Sequence, residues 1–147
     1  MRIVVGSDHA GLGLKEVVTG HLTAAGHDVI DVGTSNTDSV DYPDFGAAVG
    51  QKVAANEADL GVALCGSGLG ICISANKVDG VRAVTITDVT SARLSRQHND
   101  ANVVCMGERL IGPQTALDVV DAFVATEFEG GRHSRRVDKI SALESVE

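Results

Sequence analysis

The segment Cys65-Gly66-Ser67-Gly68-Leu69-Gly70 holds the densest set of groups suited to chemistry. Glycine at alternate positions leaves the backbone bare and permits positive φ. Successive N–H groups in such a loop, at the opening of a helix, form a nest for an anion. The competing readings are a bare strand-to-helix turn and a dinucleotide fingerprint. The fingerprint fits worst. The spacing is GxGxG rather than GxGxxG, the loop follows the third strand, and no acidic ribose-binding residue follows at the expected distance on a second strand. A small anion ranks first and a bare turn second.

Cys65 ends a strand and starts this loop. Free cysteine is usually a small core hydrophobe, a reading that suits Cys72 and Cys105 among their apolar neighbours. Cys65 differs because it sits beside a field of N–H dipoles, which favours thiolate over thiol. A thiolate there could act as base or nucleophile. By itself the residue supports core and function equally.

Three further pairs carry polar chemistry. Asp8 and His9 directly follow an apolar run; the plain reading is an Asx turn or helix cap, and a place opposite the Gly loop favours function. His98 and Asn99 end a helical stretch, where a His often serves only the helix dipole. Arg132 and Arg136 are four apart and share one helical face. That face is either solvated or a phosphate clamp working with His9, since guanidinium grips phosphate bidentately.

The elements that must position these residues alternate between strand and helix. Strands are predicted over 2–7, 27–32, 59–65, 81–87 and 102–106. Helices are predicted over 11–25, 43–55, 71–77, 88–98, 113–127 and 133–145, with the polar stretch 33–41 as a loop. Leu14, Val17, Val18 and Leu22 set the period of the first helix, and Gly26 stops it. Pro43 and Pro113 suit first turns, and Asp88 or Thr90 caps the fourth helix. The pattern is β-α five times over. It predicts a single domain over 1–147 of class α/β: a three-layer α/β/α sandwich on a five-stranded parallel, Rossmann-like sheet. Ligands of such sheets bind at the carboxyl ends of the strands. That rule selects 7–10, 65–70 and the turn after Met106.

Composition bounds the function. The 147 residues suit one domain, and the 44% apolar content supports a core built of Val, Ile, Leu and Ala, with aromatics at only 3% and no Trp. The net charge of −8 argues against general nucleic-acid binding, which needs clustered Lys and Arg. It leaves room for a small phosphate ligand held by the local cluster Arg132, His133, Arg135 and Arg136. Three cysteines without CxxC spacing argue against a zinc site and for reduced thiols in the cytoplasm. The chain opens directly on a strand, and no apolar run is long enough for a membrane span, so neither a signal peptide nor a membrane partner is expected.

Several stretches resemble the ribose-5-phosphate isomerase B family, which also includes allose-, galactose- and tetrulose-phosphate isomerases. They are SDHAG after the first strand, DYPDF at 41–45, CGSGLGICISANKV at 65–78, RAV at 82–84, SRQHNDANV at 95–103 and EGGRHSRRV at 129–137. The resemblance spans nearly the whole chain. It implies a cofactor-independent aldose–ketose interconversion of a small phosphorylated sugar through a cis-enediolate. Cys65 would be the base between carbons 1 and 2. The N–H groups of Gly66, Ser67, Gly68, Leu69 and Gly70 would hold the enediolate oxygens. Ser67, where the family commonly has Thr, would move the proton between them.

The same resemblance gives His98 the opening of the furanose ring, with Asp8 on a sugar hydroxyl and Asn99 on the sugar. His9, Arg132 and Arg136 would hold the phosphate, with Arg109 a candidate fourth contact and Tyr42 a candidate lining residue. A second family branch uses Glu as base just after the glycines. Ile71 stands there, which places this chain in the Cys branch. No metal and no cofactor are implied. The expected assembly is a homodimer or dimer of dimers with shared sites, in which the segment of His98, Asn99 and Arg109 serves the neighbouring subunit's cysteine.

RQHN favours a substrate whose ring must open, hence ribose 5-phosphate first. CISANKV is also similar to tetrulose-phosphate isomerases, so erythrulose 4-phosphate and a hexose 6-phosphate stay open. The rival from another class is a non-catalytic sugar-phosphate sensor, which would have no need of Cys65, Ser67 and His98 together. A nucleotide-binding module ranks third.

Overall fold

Short runs rich in Val, Ile and Leu become the strands β1 (Arg2–Ser7), β2 (Asp28–Asp31), β3 (Leu60–Cys65), β4 (Ala83–Thr85) and β5 (Val103–Gly107). All pair in parallel, in the order β2-β1-β3-β5-β4. β3 and β5 are buried at every position, as expected of central parallel strands covered on both faces. The helices are α1 (Leu12–Ala24), α2 (Tyr42–Ala54), α3 (Leu69–Ala75), α4 (Val89–Asn99), α5 (Pro113–Ala125) and α6 (Ser134–Ser141). Short 3-10 turns at His9–Gly11 and Gly131–His133 precede α1 and α6. The computed structural model describes residues 1–144.

Element types follow the sequence pattern; the bounds move for local reasons. β1 covers 2–7 as expected. β4 begins at Ala83 rather than at 81, because the Arg82 N–H is taken by Asn102 Oδ1 at 2.7 Å. α3 begins at Leu69, two residues earlier than expected, because Gly68 serves as its N-cap with φ +74. α5 stops at Ala125 instead of 127: Thr126 is extended, and its carbonyl accepts from Arg96 Nε at 3.2 Å. Asp88 caps α4 by accepting from Ser91 N at 2.7 Å. The final helix, expected over 133–145, ends at Ser141, and Ser145 lies outside the described residues.

Strand order and handedness together decide which helix covers which face. The chain moves one way along the sheet from β1 to β2 and from β4 to β5, and the other way from β2 to β3 and from β3 to β4. Right-handed crossovers moving in opposite directions must use opposite faces. The packing obeys this rule. One core joins Leu14, Val18 and Leu22 of α1, Ala92 of α4 and Val119, Val120 and Phe123 of α5 to Ile3, Val5, Val62 and Val104. The other joins Val49 and Val53 of α2 and Ile71, Cys72 and Ala75 of α3 to Val4, Ala63, Val103 and Cys105.

The largest fully buried side chain is a lysine. Lys15 is 2% exposed, and its ammonium meets Asp31 Oδ1 at 2.7 Å, Asp31 Oδ2 at 2.9 Å and the Thr34 carbonyl at 2.6 Å. Three donors thus face three acceptors, tying α1 to the end of β2 and to the loop that follows. Lys15→Met keeps the apolar stem and strands the buried Thr34 carbonyl. It should cost about 2 kcal/mol and lower the melting temperature by roughly 4–8 °C in a calorimetric scan.

Candidate active site

The order β1-β3-β5 at the centre of the sheet sets three strand ends side by side. Their carboxyl-terminal loops enclose a cavity of about 440 Å³ lined by Asp8, His9, Ala10, Tyr42, Cys65, Gly66, Ser67, Gly70, Arg109 and Leu110. These are the three places that the strand-end rule selects. The fold brings them together across more than a hundred residues of chain.

Cys65 is the last residue of β3 and is 4% exposed. Its Sγ accepts the Gly68 N–H at 3.1 Å. The loop curls this tightly only because two glycines permit it. A Cβ on Gly68, already at φ +74, would stand 2.7 Å from the Met106 carbonyl carbon, and one on Gly107 would stand 2.4 Å from that of Ser67. Ser67 Oγ accepts the Leu69 N–H at 3.2 Å, so this hydroxyl sits at the mouth of the cradle with its own proton still to give. Helix α3 starts there, and the first turn of any helix leaves N–H groups without intrahelical partners.

Cys72 and Cys105 occupy the core, as expected of them. Cys72 lies in the core with Cys105, and their hydrogen bond holds the Cys72 thiol down at about 7. The same bond, with burial, pushes Cys105 well up. Neither lines the cavity.

Asp8 caps the turn before α1 and also lines the cavity. Its Oδ1 accepts from Ala10 N and Gly11 N at 3.0 Å each and so caps the 3-10 turn. His9 Nδ1 accepts the Val40 N–H at 3.2 Å. A backbone N–H can only donate, so Nδ1 carries a lone pair and the neutral ring holds its proton at Nε2. The sequence offered no sign of Val40, because the contact is made by backbone from a loop that reads as featureless. The Arg109 guanidinium lies against Gly66, with its Cζ 3.2 Å from where a Cβ would be, and the Arg109 N–H donates to the Gly66 carbonyl at 3.0 Å. Arg109 therefore lines the cavity of its own chain. Tyr42 covers Gly70, its ring 2.5 Å from a Cβ built there.

The remaining expected site residues form a separate group. Helix α4 begins at the carboxyl edge of the sheet and runs back about 16 Å to the amino edge. His98 and Asn99 close it, at the end of the molecule remote from Cys65. Asn99 lines a groove with Asn76, Val81, Ala101 and Ile140, near the starts of β4 and β5. The C-terminal segment docks on the same edge: Glu129 N donates to the Gln97 carbonyl at 3.1 Å, and His133 stacks on His98 with centroids 4.3 Å apart and planes at 14°. Arg132 and Arg136, exposed, belong to this segment. The expected residues thus fall into two groups. Asp8, His9, Tyr42, Cys65, Arg109 and the glycine loop make one. His98, Asn99, Arg132 and Arg136 make the other.

His98, Glu129 and His133 place three ligand atoms within 4.8 Å of one another, close enough to suggest a metal. The nearly parallel rings send their in-plane lone pairs side by side rather than to one point, so the trio as built is a stacked pair beside a carboxylate. Burial pushes His133 below the ordinary 6.5, helped by His98 and Arg132 and opposed by Glu129. The folded chain therefore favours neutral His133, and the unfolded chain binds the extra proton. This contribution to stability is present above 6.5 and is lost as pH falls through the folded value. In thermal melts from neutrality down to about pH 5, His133→Phe should lose less melting temperature than the parent chain.

The sequence matches the family described as ribose/galactose isomerase over residues 3–140. Ribose-5-phosphate isomerase B of Escherichia coli is 46% identical over 143 residues, 97% of this chain and 96% of its own. The solved ribose-5-phosphate isomerase B of Clostridium thermocellum superposes with a TM-score of 0.97 at 51% identity, covering 98% of this chain and 97% of that one. That of Mycoplasma genitalium, solved with ribulose 5-phosphate bound, gives 0.94 at 43% identity, covering 97% and 95%. With a cysteine at the end of β3, a glycine cradle behind it and Asp8-His9 facing both, the chain belongs to the ribose/galactose isomerase family.

Proposed function

We propose that this chain interconverts ribose 5-phosphate and ribulose 5-phosphate through a cis-enediolate, without metal or redox cofactor. One observation carries the reading: a thiol bonded to a backbone N–H at 3.1 Å, on the floor of a cavity whose rim is Asp8 and His9. Abstracting a proton next to a carbonyl needs a base, donors aimed at the developing oxygen charge and a grip on the remote phosphate. Cys65 takes the proton from carbon 2 of the open aldose and returns it to carbon 1. The amides of the 66–70 loop hold the two oxygens while the Ser67 hydroxyl moves the proton between them. Asp8 Oδ2 orients a sugar hydroxyl. His9, through Nε2–H, and Arg109 meet the phosphate end.

Ring opening falls to His98, and further phosphate contacts fall to Arg132 and Arg136, with Asn99 on the sugar. Within one chain these groups face the wrong edge of the sheet, so they act in the site of a second copy. The surface supports this pairing. Leu69 and Ile73, one turn apart on α3 beside the cavity, are 56% and 63% exposed, an apolar pair that suits a protein partner. The active unit is a homodimer with two composite sites, alone or paired into a tetramer. Three free and buried cysteines fit a reducing, cytoplasmic setting. Among the described residues no helix is long and apolar enough to cross a membrane.

Three experiments test the reading. Cys65→Ala should lower turnover of ribose 5-phosphate by about a thousandfold or more and abolish exchange of the carbon-2 hydrogen with solvent, while phosphate still binds. Full activity in that variant would remove Cys65 as the base. Mixing inactive Cys65→Ala with inactive His98→Ala subunits should restore activity, because half of the composite sites in a mixed dimer carry both wild-type residues. Ile73→Asp should shift the protein toward monomer in sedimentation and silence it. A fully active monomer would refute the composite site.

A further inference from the structure

Thr85, the last residue of β4, is a polar side chain with no part in the reading above. It pairs in register with Cys105, so its side chain shares the sheet face occupied by α3. Its hydroxyl donates to the carbonyl of Gly68 at 2.8 Å. Among the described residues this is the one side-chain hydrogen bond that reaches the backbone of 66–70 from outside the segment 65–74.

We propose that Thr85 is a positioning residue for Cys65 and for the amide cradle, acting through Gly68. The inference rests on the isomerase reading of the same site. A trans peptide is planar, with its C=O and N–H antiparallel. Anchoring the Gly68 carbonyl toward β4 therefore aims the Leu69 N–H the opposite way, toward the Ser67 hydroxyl and the cavity. The N–H on the other side of the same residue is the one that meets Cys65 Sγ at 3.1 Å. Both backbone groups of one glycine are thus held by side chains, a thiol on one side and a hydroxyl on the other.

Gly68 is the weak link of the loop. It has no Cβ, sits at φ +74 and is flanked at one remove by Gly66 and Gly70. Such a residue offers little intrinsic resistance to rotation of its peptide plane. Rotation of the 68–69 peptide would swing the Leu69 N–H out of the cavity and turn a carbonyl oxygen in. The sign of the dipole beside the thiolate and the enediolate would reverse, against the charge that the reaction develops. The Thr85 hydroxyl opposes that rotation, adding a side-chain bond to the first intrahelical bond that the N-cap carbonyl of α3 already accepts.

The test compares Thr85→Val, which keeps the branched shape and loses the O–H, with Thr85→Ser, which keeps the O–H. Thr85→Val should lower kcat for ribose 5-phosphate about 10- to 100-fold with KM little changed. It should also slow iodoacetamide alkylation of Cys65 several-fold at neutral pH, followed by fragmentation mass spectrometry that separates Cys65 from Cys72. Thr85→Ser should restore both. Wild-type kcat and alkylation in Thr85→Val would overturn the proposal, and so would equal damage from Val and Ser, which would trace the effect to packing. If Thr85→Val melts too low to assay, Thr85→Ala against Thr85→Ser makes the same comparison. Alkylation reads Cys65 whatever the substrate. Slow alkylation in a chain inert toward ribose 5-phosphate would sink the substrate assignment and leave the role of Thr85 standing.

Discussion

The backbone of the 65–70 loop rests directly on the backbone at the end of β5, and the cavity depends on that approach. Ser67 and Gly68 stand where no side chain could come between them and Met106–Gly107. This contact curls the chain after Cys65 so that the Gly68 N–H returns to the sulfur and α3 starts within four residues. It also fixes the start of the turn after β5: Glu108 N donates to the Cys65 carbonyl and Arg109 N to the Gly66 carbonyl, each at 3.0 Å. The guanidinium of Arg109 is thereby laid across the loop. Thiol, cradle and cation are consequences of one close packing of two strand ends.

A second constraint is the direction of the connecting helices. Every helix between parallel strands runs back against them, so residues at a helix start share the carboxyl edge with the strand ends, and residues at a helix end cannot. Asp8, His9 and Tyr42 belong to helix starts and enter the cavity. His98 and Asn99 belong to a helix end and lie across the sheet from it. The stacking of His133 on His98 and the Glu129–Gln97 hydrogen bond draw the arginine segment to the same remote edge. A chain built this way carries its expected site residues on two opposite edges of the sheet.

Several residues serve packing and chemistry together. Asp8 caps the turn before α1 through one oxygen and also lines the cavity. Lys15 stabilises the loop after β2 by its ion pair and carbonyl contact, and that loop later supplies the Val40 N–H that selects the tautomer of His9. The net charge of −8 does not conflict with an anionic substrate, because the cavity meets charge with local donors rather than with the field of the whole chain.

Much of this was legible in the sequence, for identifiable reasons. Apolar runs and helical periods carry the element types, because burial on both faces or on one leaves a local trace. Gly66, Gly68 and Gly70 marked the cradle, since backbone that must bend sharply excludes side chains. Cys65, Asp8 and His9 were found by their place at strand ends. What the sequence left open involves partners remote in the chain: the strand order, the Val40 contact on His9, the Thr85 bond to Gly68, the low-lying thiol of Cys72 and the placement of Arg109 in its own cavity. Local sequence determined which residues can do chemistry and which elements carry them. Only the tertiary structure decided which of them meet, because strand order and helix direction assign each to an edge of the sheet, and no periodicity records that assignment.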